Sequence, residues 1–257
     1  MSREVSVIDV KSAREIALMR ESGRIASVIL SELATLVKVG LSTEYLDEQA
    51  RRLVTGYPQV RPAFLGYRGF PASLCVSVNA EVVHGVPRKN KVIKDGDLVS
   101  LDWGVEHEGY FGDCATTVMV GQVSEAAKRL TTATAEALEA AIRVIRPGAT
   151  VGDIGHAVEA YVKALGMNVV KDFVGHGIGR SLHEDPAIPN WGRPGEGAKL
   201  VSGMTIAVEP MVTLGSGAVV VAADGWTART KDGALAAHFE HTLLVTDQGC
   251  EILTKPA

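Results

Sequence analysis

The chain has 257 residues, 46% of them hydrophobic and 22% charged, the balance of a folded globular protein rather than a disordered, fibrous or membrane one. Its net charge of -4 argues against a protein whose main work is neutralising nucleic-acid phosphates or coating an anionic membrane, so neither DNA nor a membrane is an expected partner. No apolar run approaches the roughly 18 residues of a membrane span, Met1-Ser2-Arg3-Glu4 lacks a signal peptide's apolar core, and Cys75, Cys114 and Cys250 make neither a disulfide framework nor a zinc ribbon, which together predict a cytoplasmic protein with reduced thiols.

The first predicted element is a helix after Ser12. Ser12 and Glu15 form a capping-box pattern, and Ile16, Met19, Ile29, Leu33 and Leu36 follow a helical stripe, with Gly40 ending the region. A second helix runs from Thr43 to about Val54, with Ser42 placed to cap it and Gly56 to end it. A β-rich stretch follows over Leu98 to Val120. Ser124 then opens an alanine-rich helix that Arg146-Pro147-Gly148 breaks, and Thr150 with Asp153 starts another that closes near Gly166. Gly40-Leu41-Ser42 and Gly148-Ala149-Thr150 suggest an internal duplication at an offset of about 108 residues. Further β-rich stretches cover Met204 to Val221 and Ala236 to Val245. The fold class is α+β, and no Pro/Ser-rich linker marks a boundary, so one domain over residues 1–257 is expected.

The chemistry lies in acids that interrupt apolar strands. Asp102 sits in Leu98-Val99-Ser100-Leu101-Asp102-Trp103, where an unpaired carboxylate is expensive to bury. A hairpin centred between His107 and Glu108 pairs position 102 with 113, placing the β-carbons of Asp102 and Asp113 about 5 Å apart. Two carboxylates at that distance repel unless a proton or a cation sits between them. A lone strand aspartate usually caps a turn or pairs with a lysine; the opposed pair turns the reading toward a divalent cation.

His176 lies in Gly175-His176-Gly177-Ile178-Gly179, where glycines permit close approach of another group. Glu209 follows Thr205-Ile206-Ala207-Val208, and Glu240 lies within the apolar run Ala237 to Val245. Alone, each is as readily an exposed acid or a loop histidine. Together, four carboxylates and one imidazole make a hard donor set that suits Mn, Fe(II), Co or a similar ion better than a thiolate-type structural zinc. Sharing between two ions accounts for so many acids.

The sequence also contains Ser77-Val78-Asn79-Ala80-Glu81-Val82-Val83-His84-Gly85-Val86-Pro87, Leu101-Asp102-Trp103-Gly104 with Gly112-Asp113, and Gly175-His176-Gly177-Ile178-Gly179-Arg180 with His183-Glu184. Glu209-Pro210-Met211 and Phe239-Glu240-His241-Thr242 complete the set. On these motifs rests a close resemblance to the type I methionine aminopeptidases. It implies a pseudo-twofold pita-bread architecture with a central antiparallel sheet and a site for two divalent ions (Co, Mn, Fe(II), Zn or Ni). Asp102 would chelate one ion, Asp113 and Glu240 would bridge both, and His176 and Glu209 would hold the second.

The same resemblance implies removal of the initiator methionine from nascent polypeptide N-termini when the second residue is small. A divalent ion lowers the pKa of a water from about 15.7 to about 7, Glu209 would exchange its proton, and His84 and His183 would steady the scissile amide. The methionine pocket would comprise Phe64, Tyr67, Phe70, Cys75, Leu182 and Trp226, of which Phe64, Phe70 and Leu182 vary within the family. His238 and His241 flank Glu240 as supports, while His107 and His156 receive no role. A monomer is expected, without the Cys/His-rich N-terminal extension of some relatives, so any transient ribosome contact would use the domain itself. The interval from His183 to Glu209 leaves no room for the helical insertion of type II relatives.

Two rivals share the architecture. An aminopeptidase P or prolidase usually carries an extra N-terminal domain, for which the residues before Asp102 leave little room. A metal-free binding protein on the same fold would not need the ligand positions, all of which are filled.

Overall fold

Ser12 caps helix α1 (Ala13–Leu36) as its sequence predicts. Its hydroxyl accepts the Glu15 backbone N–H, and the Glu15 carboxylate accepts the Ser12 N–H, so both free donors are satisfied. The computed structural model describes residues 8–255; the opening Met1 to Glu4, read above for a targeting signal, lies outside the described residues. Helix α1 stops at Leu36 because Val37 is already extended, so Gly40 serves the following turn rather than the helix end. Ser42 caps α2 (Thr43–Val54), Ser124 caps α3 (Glu125–Val144), and a Thr150–Asp153 capping box opens α4 (Val151–Ala164).

The predicted duplication has a physical counterpart in how the second helix of each pair is entered. Gly40 N–H donates to the Ile93 carbonyl at 2.9 Å, and Gly148 N–H donates to the Leu200 carbonyl at 2.9 Å. The bonds in return run from Ile93 to Leu41 at 2.9 Å and from Leu200 to Ala149 at 2.7 Å. Both glycines hold φ near 90°, a left-handed conformation that a side chain would strain.

The strands are β1 (Val60–Pro62), β2 (Cys75–Val78), β3 (Glu81–Val83), β4 (Leu98–His107), β5 (Tyr110–Met119), β6 (Asn168–Val169), β7 (Gly175–Gly177) and β8 (Glu184–Ile188). After them come β9 (Thr205–Val208), β10 (Met211–Thr213), β11 (Val219–Val221), β12 (Ala228–Thr230), β13 (Ala236–His238), β14 (Glu240–Thr246) and β15 (Gly249–Ile252). A nine-stranded antiparallel sheet runs β1-β4-β5-β14-β9-β7-β8, with β2 also on β4 and β15 also on β14. Two smaller sheets, β13-β10-β6 and β11-β12-β3, accompany it.

Alternation along the strands decides which side chains meet the helices. Val99, Leu101, Trp103 and Cys114 join Ile25, Ile29, Leu33 and Leu46 in one core; Ile206, Val208, Leu243 and Val245 join Leu130, Ala137, Ile154 and Val158 in another. With a side-chain period of two, positions 102, 113 and 240 therefore face the opposite side of the sheet, away from the four helices.

One expectation is corrected. Strands β4 and β5 pair Asp102 with Ala115 and Gly104 with Asp113, not Asp102 with Asp113. The turn is the two-residue loop Glu108–Gly109, whose φ values of 49° and 82° match the right-handed twist of the flanking strands, so the hairpin centre lies one residue later than the sequence suggested. Because the pairing shifts by two positions, both carboxylates still share a face.

Candidate active site

Asp102, Asp113, His176, Glu209 and Glu240 converge on one cavity on the sheet face opposite Trp103 and Cys114, and each is buried. Gly104, opposite Asp113, makes room: a Cβ there would stand 3.0 Å from Ala63 Cβ and 3.2 Å from Asp113 Oδ1. Thr242 fixes the backbone of Asp113, accepting its N–H at 3.0 Å and donating to its carbonyl at 2.8 Å. Asn190 donates to the Glu209 carbonyl at 2.9 Å.

Strand β7 carries His176 between two glycines because neighbouring backbone leaves no space for side chains. A Cβ on Gly175 would collide with the Ala207 carbonyl oxygen, and one on Gly177 with that of Asp185. His176 Nδ1 lies 2.8 Å from the Gly177 carbonyl. That contact places the proton on Nδ1 and leaves Nε2 as a lone-pair donor, 3.6 Å from Glu209 Oε1.

A ligand atom from each of Asp113, His176 and Glu240 lies within 4.8 Å of the other two. Asp102 Oδ1, Asp113 Oδ1 and Glu240 Oε1 are buried without a hydrogen-bond partner among the described residues. Burial, reinforced by mutual repulsion, pushes the carboxyls of Asp102, Glu209 and Glu240 well above the usual carboxylate range, and burial raises Asp113 to about 7. Burial also lowers His176 to about 4, which keeps its imidazole neutral. Orphaned carboxylate oxygens beside a neutral imidazole fit a hard divalent cation, whose charge would offset theirs.

All the residues predicted for metal, catalysis and methionine binding line one cavity of about 120 Å³. Phe70 meets Trp226 edge to face with ring centroids 5.3 Å apart. Cys75 stands opposite Asp102 in the β2–β4 ladder, and burial with that carboxylate's charge keeps its thiol neutral. His183 stacks on Tyr67 at 5.3 Å, places Nδ1 3.0 Å from the Tyr67 hydroxyl, and lies 4.1 Å from the His176 ring. His84 has φ 57°, uncommon for a side-chain-bearing residue, and its ring meets Phe173 edge to face at 5.4 Å. Burial holds His84 near 4 and, with neighbouring His176 and Arg68, His183 near 3.

The histidines flanking Glu240 part company. His238 has no partner on either ring nitrogen among the described residues, and its Nε2 lies 3.9 Å from Glu209 Oε2 and 4.0 Å from Glu240 Oε2. His241 points to the other side, where its Nδ1 meets Thr254 Oγ1 at 2.9 Å. Neither His107 nor His156 lines the cavity. The sequence reading missed Arg68, which lines the mouth and lies over the Tyr67 ring at 5.4 Å. Its signal was a cation inside the aromatic run Phe64 to Phe70.

A family model, Metallopeptidase family M24, matches residues 17–247. A methionine aminopeptidase from Bacillus subtilis is 45% identical over 249 residues, covering 97% of this chain and 100% of that one. The crystal structure of a methionine aminopeptidase from Thermotoga maritima superposes with a TM-score of 0.95 at 47% identity, covering 97% of this chain and all of the other. A prolidase from Pyrococcus horikoshii shares the fold, with a TM-score of 0.78 at 23% identity, and this chain spans 64% of its length.

Proposed function

The chain belongs to metallopeptidase family M24, and from that premise we propose that it removes N-terminal methionine from polypeptides by hydrolysing the amide bond that follows it. The observation carrying this reading is near full-length identity of 45% and 47% to methionine aminopeptidases, combined with one cavity that joins an apolar pocket to a buried acid cluster.

Residues 1–257 act as a single catalytic domain. Two divalent ions would be held by Asp102, Asp113, His176, Glu209 and Glu240; Co, Mn, Fe(II), Zn and Ni all suit the donors. When bound, such ions supply Lewis acidity and lower the pKa of a water from about 15.7 to about 7. The Glu209 carboxylate accepts the water's proton and delivers it to the departing amine nitrogen. The Tyr67 hydroxyl lies 3.0 Å from His183 Nδ1; in the tautomer in which it donates there, the ring proton sits on Nε2 and can be donated to the substrate amide. His84, which lines the same cavity, would donate to the developing oxyanion, and both neutral rings can donate without bringing extra charge. Phe64, Phe70, Cys75, Leu182 and Trp226 receive the thioether side chain, which favours aromatic and sulfur neighbours. Nascent chains are the substrates, a monomer acts on them, and ribosome contact is transient through the domain surface in the cytoplasm. No helix among the described residues is long and apolar enough to cross a membrane.

The purified chain, loaded with Mn or Co, is to be incubated with Met-Ala-Ser, Met-Lys-Ser and Xaa-Pro peptides. Release of methionine from Met-Ala-Ser alone is expected. Cleavage of the Xaa-Pro peptides instead assigns the cavity to prolidase-type chemistry, and no cleavage of any peptide removes the hydrolase reading.

A further inference from the structure

Among the described residues, Lys11 is the one lysine or arginine that is buried, with a side chain only 1% exposed. A buried ammonium is costly unless paired. Lys11 lies in the segment before α1, held there by its backbone N–H donating to the Gly203 carbonyl at 2.8 Å. Its Nζ lies 2.6 Å from Glu184 Oε2 and 3.1 Å from Asp9 Oδ2. Asp9 is half exposed, so Glu184 is the principal partner.

Glu184 immediately follows His183. Its second oxygen, Oε1, accepts the Ser181 backbone N–H at 3.0 Å, so one carboxylate ties the start of the 181–184 turn to its end while Lys11 neutralises it. Gly179 admits the pair: a Cβ there would come within 2.7 Å of Lys11 Nζ and 2.8 Å of Glu184 Oε1. Tyr67 and His176 grip the His183 ring from the cavity side. The backbone from which the ring projects is held by the Gly179 N–H donating to the Ser181 carbonyl at 3.1 Å, by the pairing of Glu184 with Gly177, and by the Glu184 carboxylate itself.

We propose that Lys11 is a positioning residue which, through Glu184, holds the turn that aims His183 at the substrate amide. This rests on the reading of His183 as a substrate-binding group. Small displacements of such a group are expensive in rate, and groups that orient a functional residue typically contribute about 10–100-fold.

The test is steady-state hydrolysis of Met-Ala-Ser by the metal-loaded full chain and its Lys11→Met, Glu184→Gln, Lys11→Met/Glu184→Gln, His183→Ala and Lys11→Met/His183→Ala variants. Lys11→Met is expected to lower kcat/KM by about 10–100-fold with bound metal per chain unchanged. In the His183→Ala background the same substitution is expected to cost less than about twofold, because its effect has already been removed. Should Lys11→Met leave a charged Glu184 that unfolds the chain, the Lys11→Met/Glu184→Gln variant removes both charges and is expected to show the same loss. An equal loss in both His183 backgrounds, or wild-type activity in the doubly neutralised variant, overturns the proposal. Failure of the wild-type chain to release methionine at all is a different result and overturns the function itself.

Discussion

Asp102 and Asp113 lie two register positions apart across the β4–β5 ladder, on the same sheet face, each with a buried oxygen that has no hydrogen-bond partner among the described residues. Like charges so placed persist only with a compensating cation or proton. Asp102→Asn and Glu240→Gln are therefore expected to lower both metal content and turnover. The loss in kcat should be at least about a hundredfold, above the 10–100-fold typical of groups that only support a ligand. Metal analysis together with rates on Met-Ala-Ser checks this; full activity at normal metal stoichiometry sinks the ligand assignment.

His84 borders the same cavity without belonging to the acid cluster, its ring meeting Phe173. His84→Ala is expected to retain metal while losing about 10²–10³-fold in kcat, the scale of one removed oxyanion donor. Loss of metal from this variant would make His84 a ligand instead.

Burial depresses His84 to about 4, and partial desolvation together with His176, Arg68 and His84 depresses the more exposed His183 to about 3, from an ordinary 6.5. Both folded values lie below the unfolded one, so the contribution of these groups to stability is complete above pH 6.5 and declines as pH falls from 6.5 toward 4 and 3. Melting temperatures followed from pH 7 to pH 4 should fall less steeply in His84→Gln and His183→Gln than in the wild type. Identical slopes would place the acid sensitivity elsewhere.

Phe64, Phe70, Cys75 and Leu182 wall the cavity with buried side chains; with methionine in this proposed pocket, the second residue of a substrate would sit at the rim. Steric exclusion there can exceed the roughly 1–3 kcal/mol that a missing methylene costs in a pocket. Met-Ala and Met-Ser peptides should be cleaved more than about a hundredfold faster than Met-Leu and Met-Lys peptides of equal length, a ratio at the upper end of that range. Initial rates at limiting substrate measure it, and comparable rates for all four would indicate a broader aminopeptidase.

Sequence by itself determined what depends on near neighbours. The caps at Ser12, Ser42, Ser124 and Thr150 were legible because a capping hydroxyl and its target N–H lie within one helical turn. The anomaly of Asp102, Glu209 and Glu240 and the glycine-flanked His176 were legible because strand alternation, apolar runs and glycine spacing are local, and the family motifs then named His84 and His183. Tertiary structure decided the β4–β5 register, since the two-residue Glu108–Gly109 turn, with both residues at positive φ, matches the twist of the flanking strands. It also decided which histidine beside Glu240 faces the acids, and it brought Arg68 to the cavity mouth and Lys11 to Glu184. Those contacts join distant parts of the chain, Lys11 and Glu184 being 173 residues apart. No local pattern encodes such a pairing, because closure of so long a loop is favoured only once the whole core has packed.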